Sequence, residues 1–190
     1  MKYVYINPEY LIKNQIFTSG ECKQKKILNP FGGKRQHAGV FILDGTFKIW
    51  IPEQTINNEK QFKYISSKDY RFYRFQCEKG NGIGKEHYLC IRDCVIVPDD
   101  FVMVKFSSPN DQVKLEELRI NKKILIDKIN YCSKHNLIKQ EHIMKKAYSN
   151  FQKQKLLNDQ EFNDENESKV RHSTNEEQIE DIEQSTGRGR

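Results

Sequence analysis

The stretch GVFILDGTFKIWI, residues 39–51, decides the fold class. Two runs rich in β-branched and aromatic residues flank Asp44-Gly45, a dipeptide that tolerates positive φ at both positions and so closes a tight β-hairpin. A two-residue turn sets Leu43 opposite Thr46 and Gly39 opposite Trp50. On that register Val40, Ile42, Phe47, Ile49 and Ile51 form an apolar core face. Phe41, Thr46, Lys48 and Trp50 form the outer face. Two aromatics beside a cation are what a nucleic-acid strand favours, since bases stack on rings and cations hold phosphates.

Similar runs lie on either side. They are QFKYI (61–65), YRFYRFQC (70–77), HYLCIRDCVIV (87–97), FVMVKF (101–106) and a short first strand at Tyr3–Ile6. Ser66-Ser67-Lys68-Asp69 and Pro98-Asp99-Asp100 read as turns between them. Six or seven short strands, with no helix read between them, predict a small antiparallel β-barrel or sandwich of OB-like or SH3-like type. Both faces of 70–77 carry aromatics and an arginine, which adds Arg71, Tyr73 and Arg74 to the candidate nucleic-acid surface. Lys34 and Arg35 supply cations on the segment before the hairpin. The same aromatics also read as packing surface, under helices or against a partner protein.

After residue 108 the period changes. Leu115, Leu118, Leu125, Ile129 and Cys132 recur at helical spacing between Asp111 and His135, with Asn110 or Asp111 as cap and Asn136 as stop. A second helix over 139–157 places Met144, Tyr148 and Phe151 on one stripe, making an αα-hairpin. Residues 158–190 are rich in Asn, Glu, Gln, Ser and Asp, with too few apolar side chains to offset ordering entropy. The sequence thus predicts an α+β chain: an antiparallel β domain over 1–108, a basic helical hairpin over 109–157 and a disordered acidic tail over 158–190.

Charge follows the same division. Residues 1–108 carry 17 Lys/Arg against 11 Asp/Glu, residues 109–157 carry 11 against 5, and residues 158–190 carry 4 against 10. A strongly basic body is therefore hidden behind the formal net charge of +6. The 24 Lys, 15 Asn and 20 Ile against 2 Ala point to AT-rich coding, which inflates Lys on neutral surfaces. Arg35, Arg71, Arg74 and Arg92 are the more telling cations for that reason.

Several classes are excluded. The mean hydropathy of −0.82 and the lack of a run of about 20 apolar residues argue against a membrane span. MKYVYINPEYL does not make a signal-peptide core. The cysteines at 22, 77, 90, 94 and 132 are odd in number and read as reduced thiols in an intracellular setting. Cys77, His87, Cys90 and Cys94 raise the question of zinc. However, two residues four apart on a strand stand about 13 Å from each other and cannot share an ion unless the strand breaks. They read as buried small hydrophobes, with no metal and no cofactor.

Any cysteine could pair with His37, His87, His135 or His142, but no nucleophile signature accompanies them. Gly80–Lys85 and Pro30–Arg35 resemble phosphate loops but open no helix. The expectation is a non-catalytic nucleic-acid-binding β module, not an enzyme, accessory to a larger nucleoprotein assembly. Its site would be Lys34, Arg35, Phe41, Lys48, Trp50, Arg71, Tyr73 and Arg74, its partners single-stranded DNA or RNA and a protein of that assembly. The alternative is a protein–protein adaptor without nucleic-acid contact.

Overall fold

Turn chemistry and β-rich runs place the strands where the sequence expects most of them. A computed structural model of the chain describes residues 1–25, 27, 36–56, 68–76, 86–105 and 108–162. The expected strand at 61–65, the glycine-bearing loops, Cys77, the cations Lys34 and Arg35, and residues 163–190 of the tail lie outside them.

The described strands are β1 (Tyr3–Ile6), β2 (His37–Leu43), β3 (Phe47–Thr55), β4 (Phe72–Gln76), β5 (Glu86–Cys90), β6 (Val95–Ile96) and β7 (Val102–Val104). Every pairing is antiparallel, in the order β4-β5-β3-β2-β1-β7, with β6 also on β3. The described sheet is open rather than closed into a barrel: β4 and β7 are its two ends. Strand β3 is the spine. One edge pairs with β2; the other takes β6 at Ile49 and Trp50, then β5 from Glu53 to Thr55.

The hairpin carries one correction with wide effect. Asp44 and Gly45 do adopt positive φ, at 51° and 71°, and the Thr46 N–H donates to the Leu43 carbonyl. Thr46, however, is an extra residue, so Leu43 faces Phe47 and Phe41 faces Ile49. This one-residue slip turns the side chains of Phe41, Ile42 and Leu43 over relative to β3. Phe41 is therefore core, 2% exposed, while Ile42, expected inside, is 52% exposed. A bulge between Ala38 and Phe41 restores pairing further along, with Gly39 at φ +86°.

Two further readings change. Residues 87–97 are not one strand: the run breaks into a 3-10 turn over Ile91–Asp93 before β6. Two short helices also stand between β1 and β2, where no helix was expected. Helix α1 (Pro8–Lys13) is capped by Asn7 with Pro8 in its first turn, and α2 (Ser19–Gln24) opens on a Thr18/Glu21 capping box. At six residues each they are too short to show a period.

The expected helix at 111–135 is two helices. Ser108, not Asn110 or Asp111, caps α3 (Pro109–Ile120), and Asp111 completes its capping box. Asn121 ends α3 and starts α4 (Lys122–Lys134). Leu115, Leu118, Leu125, Ile129 and Cys132 are buried as the spacing predicts. A further helix, α5, covers residues 141–162. The chain forms one compact unit over Met1–Tyr148, and Ser149 onward belongs to a second, in which residues 149–162 are helical.

Candidate active site

The far end of β3 and the start of β5 bring together Glu53 and His87, two of the buried polar side chains among the described residues. Thr55 pairs with His87 and Glu53 with Leu89, so Glu53, Thr55 and His87 project from one face of the sheet. Phe75 of β4 pairs with His87 from the other side and lays its ring against the imidazole, 5.6 Å between centroids. Glu53 is diagonal to His87, and its Oε1 lies 3.1 Å from His87 Nδ1. Thr55 Oγ1 lies 3.5 Å from the same nitrogen.

Helix α3 brings the cation. Lys114 Nζ donates to Glu53 Oε1 at 2.8 Å and lies 3.9 Å from Asp111. Asp111 in turn accepts from Lys105 at 2.8 Å, and Lys105 donates to Gln36 at 2.6 Å. A chain of charged and polar groups thus runs Gln36, Lys105, Asp111, Lys114, Glu53, His87, Thr55. Lys105 and Lys114 both stand over the Tyr3 ring, at 5.8 and 5.7 Å.

The electrostatics follow from burial and pairing. Burial alone would raise the Glu53 carboxyl. Hydrogen bonds from His87, Lys114 and Tyr3 and the charge of Lys114 outweigh it and hold the group below its ordinary range. Asp111 is likewise held low by Lys105 and Ser108 against the opposing effect of burial. An ionised carboxylate at Nδ1 selects the tautomer with its proton there and leaves Nε2 as the basic atom. Among the described residues nothing hydrogen-bonds Nε2. An oriented imidazole beside a fixed ammonium is suited to proton transfer at an anionic group such as a phosphodiester.

The described residues among those picked from the sequence lie elsewhere. Phe41 and Trp50 are core side chains, and Trp50 Nε1 donates to the Val97 carbonyl at 3.3 Å. Neither ring is open to a base. Tyr73 is buried too, its hydroxyl pushed up to about 12 mainly by burial. Lys48 pairs with Asp99, Arg71 grips Asp69 at 2.7 Å, and Arg74 meets Glu86 at 3.2 Å. The expected outer face is thus a set of core rings and internally paired cations. Cys90 and Cys94 are buried; although the strand between them does break, no group of three or more His, Cys, Asp or Glu among the described residues is placed to hold a metal ion.

Reasoning on sequence missed Glu53 and Lys114. Glu53 lies 34 residues from His87 and 61 from Lys114, so no local motif could join them. His87 was in view only as a possible dyad partner or zinc ligand. The one available signal was a charged residue inside the apolar run of β3.

No protein-family model and no curated protein matches the chain. The fold does match solved structures. AbiQ, a lactococcal anti-phage endoribonuclease of a type III toxin–antitoxin system, aligns over 80% of this chain and 98% of its own, with a TM-score of 0.62 at 14% identity. A protein of a bacterial antiviral system regulated by a processed non-coding RNA aligns over 78% and 98%, at TM-score 0.56 and 11% identity. A structure from a bacterial type III system, whose toxin a non-coding RNA pseudoknot selectively inhibits, aligns over 80% and 97%, at TM-score 0.52 and 12% identity.

This likeness overturns the expected function. The expectation was a non-catalytic nucleic-acid-binding module, with an adaptor lacking nucleic-acid contact as the alternative; the chain instead shares its fold with AbiQ, an endoribonuclease. Among the described residues no helix is long and apolar enough to cross a membrane.

Proposed function

We propose that this protein is an endoribonuclease of the type III toxin kind, restrained by a structured non-coding RNA. The observation that carries the reading is the shared fold, which spans 97–98% of each neighbour and includes an endoribonuclease. The network of Glu53, His87 and Lys114 supports it with groups suited to the chemistry.

In the proposed step His87 takes the proton of a ribose 2′-hydroxyl at Nε2. The 2′-oxygen bonds to the adjacent phosphorus, the P–O5′ bond breaks, and the leaving oxygen takes a proton from water. Glu53 stabilises the imidazolium as it forms, and Lys114 offsets charge building on the phosphate. Thr55, beside the imidazole, positions the ring or the incoming hydroxyl. The basic body draws in RNA at a rate that falls with salt.

The test is cleavage of a randomised RNA pool by the purified chain, with His87→Ala beside it. The parent should cut RNA, and the variant should be slower by roughly 10²–10⁴-fold, the range for loss of a general base. A parent that cuts no RNA in the pool would end the endoribonuclease reading. Equal rates in parent and variant would remove His87 from it.

A further inference from the structure

Away from the network, α4 carries a run of rings on its solvent side. Tyr70, just ahead of β4, stacks on Tyr131 with centroids 4.0 Å apart and planes 27° apart. Tyr131 meets His135, one helical turn on, at 4.2 Å and 37°. All three are exposed, Tyr70 by 43% and Tyr131 by 40%. Among the described residues no further ring stacks on His135.

Cations frame the run. Lys128 Nζ lies 5.1 Å over the Tyr70 ring and donates to the carbonyls of Asp69 and Phe72, which ties the 69–72 segment to the helix. The Tyr70 carbonyl accepts from Cys132 Sγ at 3.2 Å. The ladder is therefore fixed before any partner arrives. A depression of about 390 Å³ opens beside it, lined by Lys68, Tyr70, Ile124, Asp127 and Lys128. Asp69, which precedes Tyr70 in the chain, is engaged by Arg71. Lys134, next to His135, is exposed and makes no ion pair among the described residues.

We propose that the ladder Tyr70–Tyr131–His135 is a platform on which unpaired nucleobases of an RNA strand stack. Lys68 and Lys134 would meet its phosphates. The proposal rests on the reading that the protein acts on RNA, and names a contact surface apart from the chemistry. Three exposed, pre-stacked rings flanked by cations match a single strand, whose bases offer π-faces and whose backbone is anionic. A duplex, with its bases already stacked inside, gains little from them. Residue 75, against which His87 lies, is five residues past Tyr70, so the chain between them spans at most roughly 17 Å at about 3.3 Å per residue, and less through the turn over residues 69–72, a distance one strand of a few nucleotides can cover.

The experiment uses the full chain and a fluorescent single-stranded 2′-O-methyl oligoribonucleotide, which has no free 2′-hydroxyl to attack. Anisotropy gives Kd for the parent and for Tyr131→Ala, Tyr131→Leu and Tyr131→Phe. KM on unmodified RNA is measured alongside. Alanine and leucine should each weaken binding by roughly five- to hundred-fold, the range for loss of one base–aromatic stack, while phenylalanine stays near the parent. Leucine keeps apolar bulk and helix propensity, so its loss reports the π-face rather than the fold. Lys134→Glu should flatten the salt dependence of Kd. A parent that cleaves RNA, with Kd and KM unchanged in all three Tyr131 variants, overturns the platform and leaves the endoribonuclease reading standing. A parent that neither binds nor cleaves overturns both.

Discussion

Replacing Glu53 with glutamine is the sharpest probe of the buried network. Glutamine keeps the size of the side chain and removes its charge. Lys114 then loses its 2.8 Å partner and keeps only Asp111, at 3.9 Å. Breaking a fully buried pair from one side costs about 3–5 kcal/mol. Lys114 is still 14% exposed, and the new amide oxygen can still accept one hydrogen bond, so about 2 kcal/mol is expected. For a chain of this size that lowers Tm by about 4–8 °C.

The pH dependence carries the signature. The Glu53 carboxyl is held below its ordinary 4.5 in the folded chain. Its contribution is therefore complete above 4.5 and is lost as pH falls through the folded value. Thermal melts of parent and Glu53→Gln should differ most near pH 7 and converge in acid. Adding Lys114→Met should cost less than the sum of the two single changes. Equal stability at pH 7, or a gap unchanged down to pH 3, would refute the electrostatic account. RNA cleavage should fall with the same substitution, because His87 loses the group that fixes its tautomer.

Two other perturbations test the fold. Gly39→Ala forces an L side chain to φ +86° and drives its Cβ into the Phe41 ring. Strain of about 1–2 kcal/mol and overpacking of about 1–3 kcal/mol should add, visible as a lower urea midpoint with unchanged slope. Asp93 is ion-paired with Lys139 at 2.8 Å, with Lys25 and Arg92 each 3.8 Å away. Burial opposes its ionisation, but Lys139, Lys25 and Cys90 outweigh that and hold it at about 2. Asp93→Asn should destabilise by about 1–2 kcal/mol at pH 7 in urea titrations, an effect that fades as pH drops from 3.8 through about 2.

Much of the architecture was legible because it is written locally. Strands stand where β-branched and aromatic runs lie between turn residues, and Leu115, Leu118, Leu125, Ile129 and Cys132 line the buried side of their helices. What failed depended on single residues or on the other side of the sheet. One inserted residue, Thr46, exchanged Phe41 and Ile42 between core and surface. Trp50 was placed outside by alternation, yet β3 is buried on both faces, where a strict period of two no longer separates inside from out. The network was illegible for another reason: its members come from β3, β5 and α3 and meet only once the sheet has formed. Stacked Tyr131 and His135 share a four-residue spacing that sequence can show, but Tyr70 joins them from 61 positions upstream.

The long reach of that network has a bearing on synthesis. Lys114 is its last member in chain order, and β1 finds its partner β7 only when residues 102–104 are available. A ribosome emits the chain from the N-terminus, so Tyr3, Glu53 and His87 all emerge before the strand and helix that lock them together. Truncated or stalled products ending before residue 102 carry neither the closing strand nor the cation. A nascent chain built this way lacks the completed Glu53–His87–Lys114 network until that segment has cleared the exit tunnel.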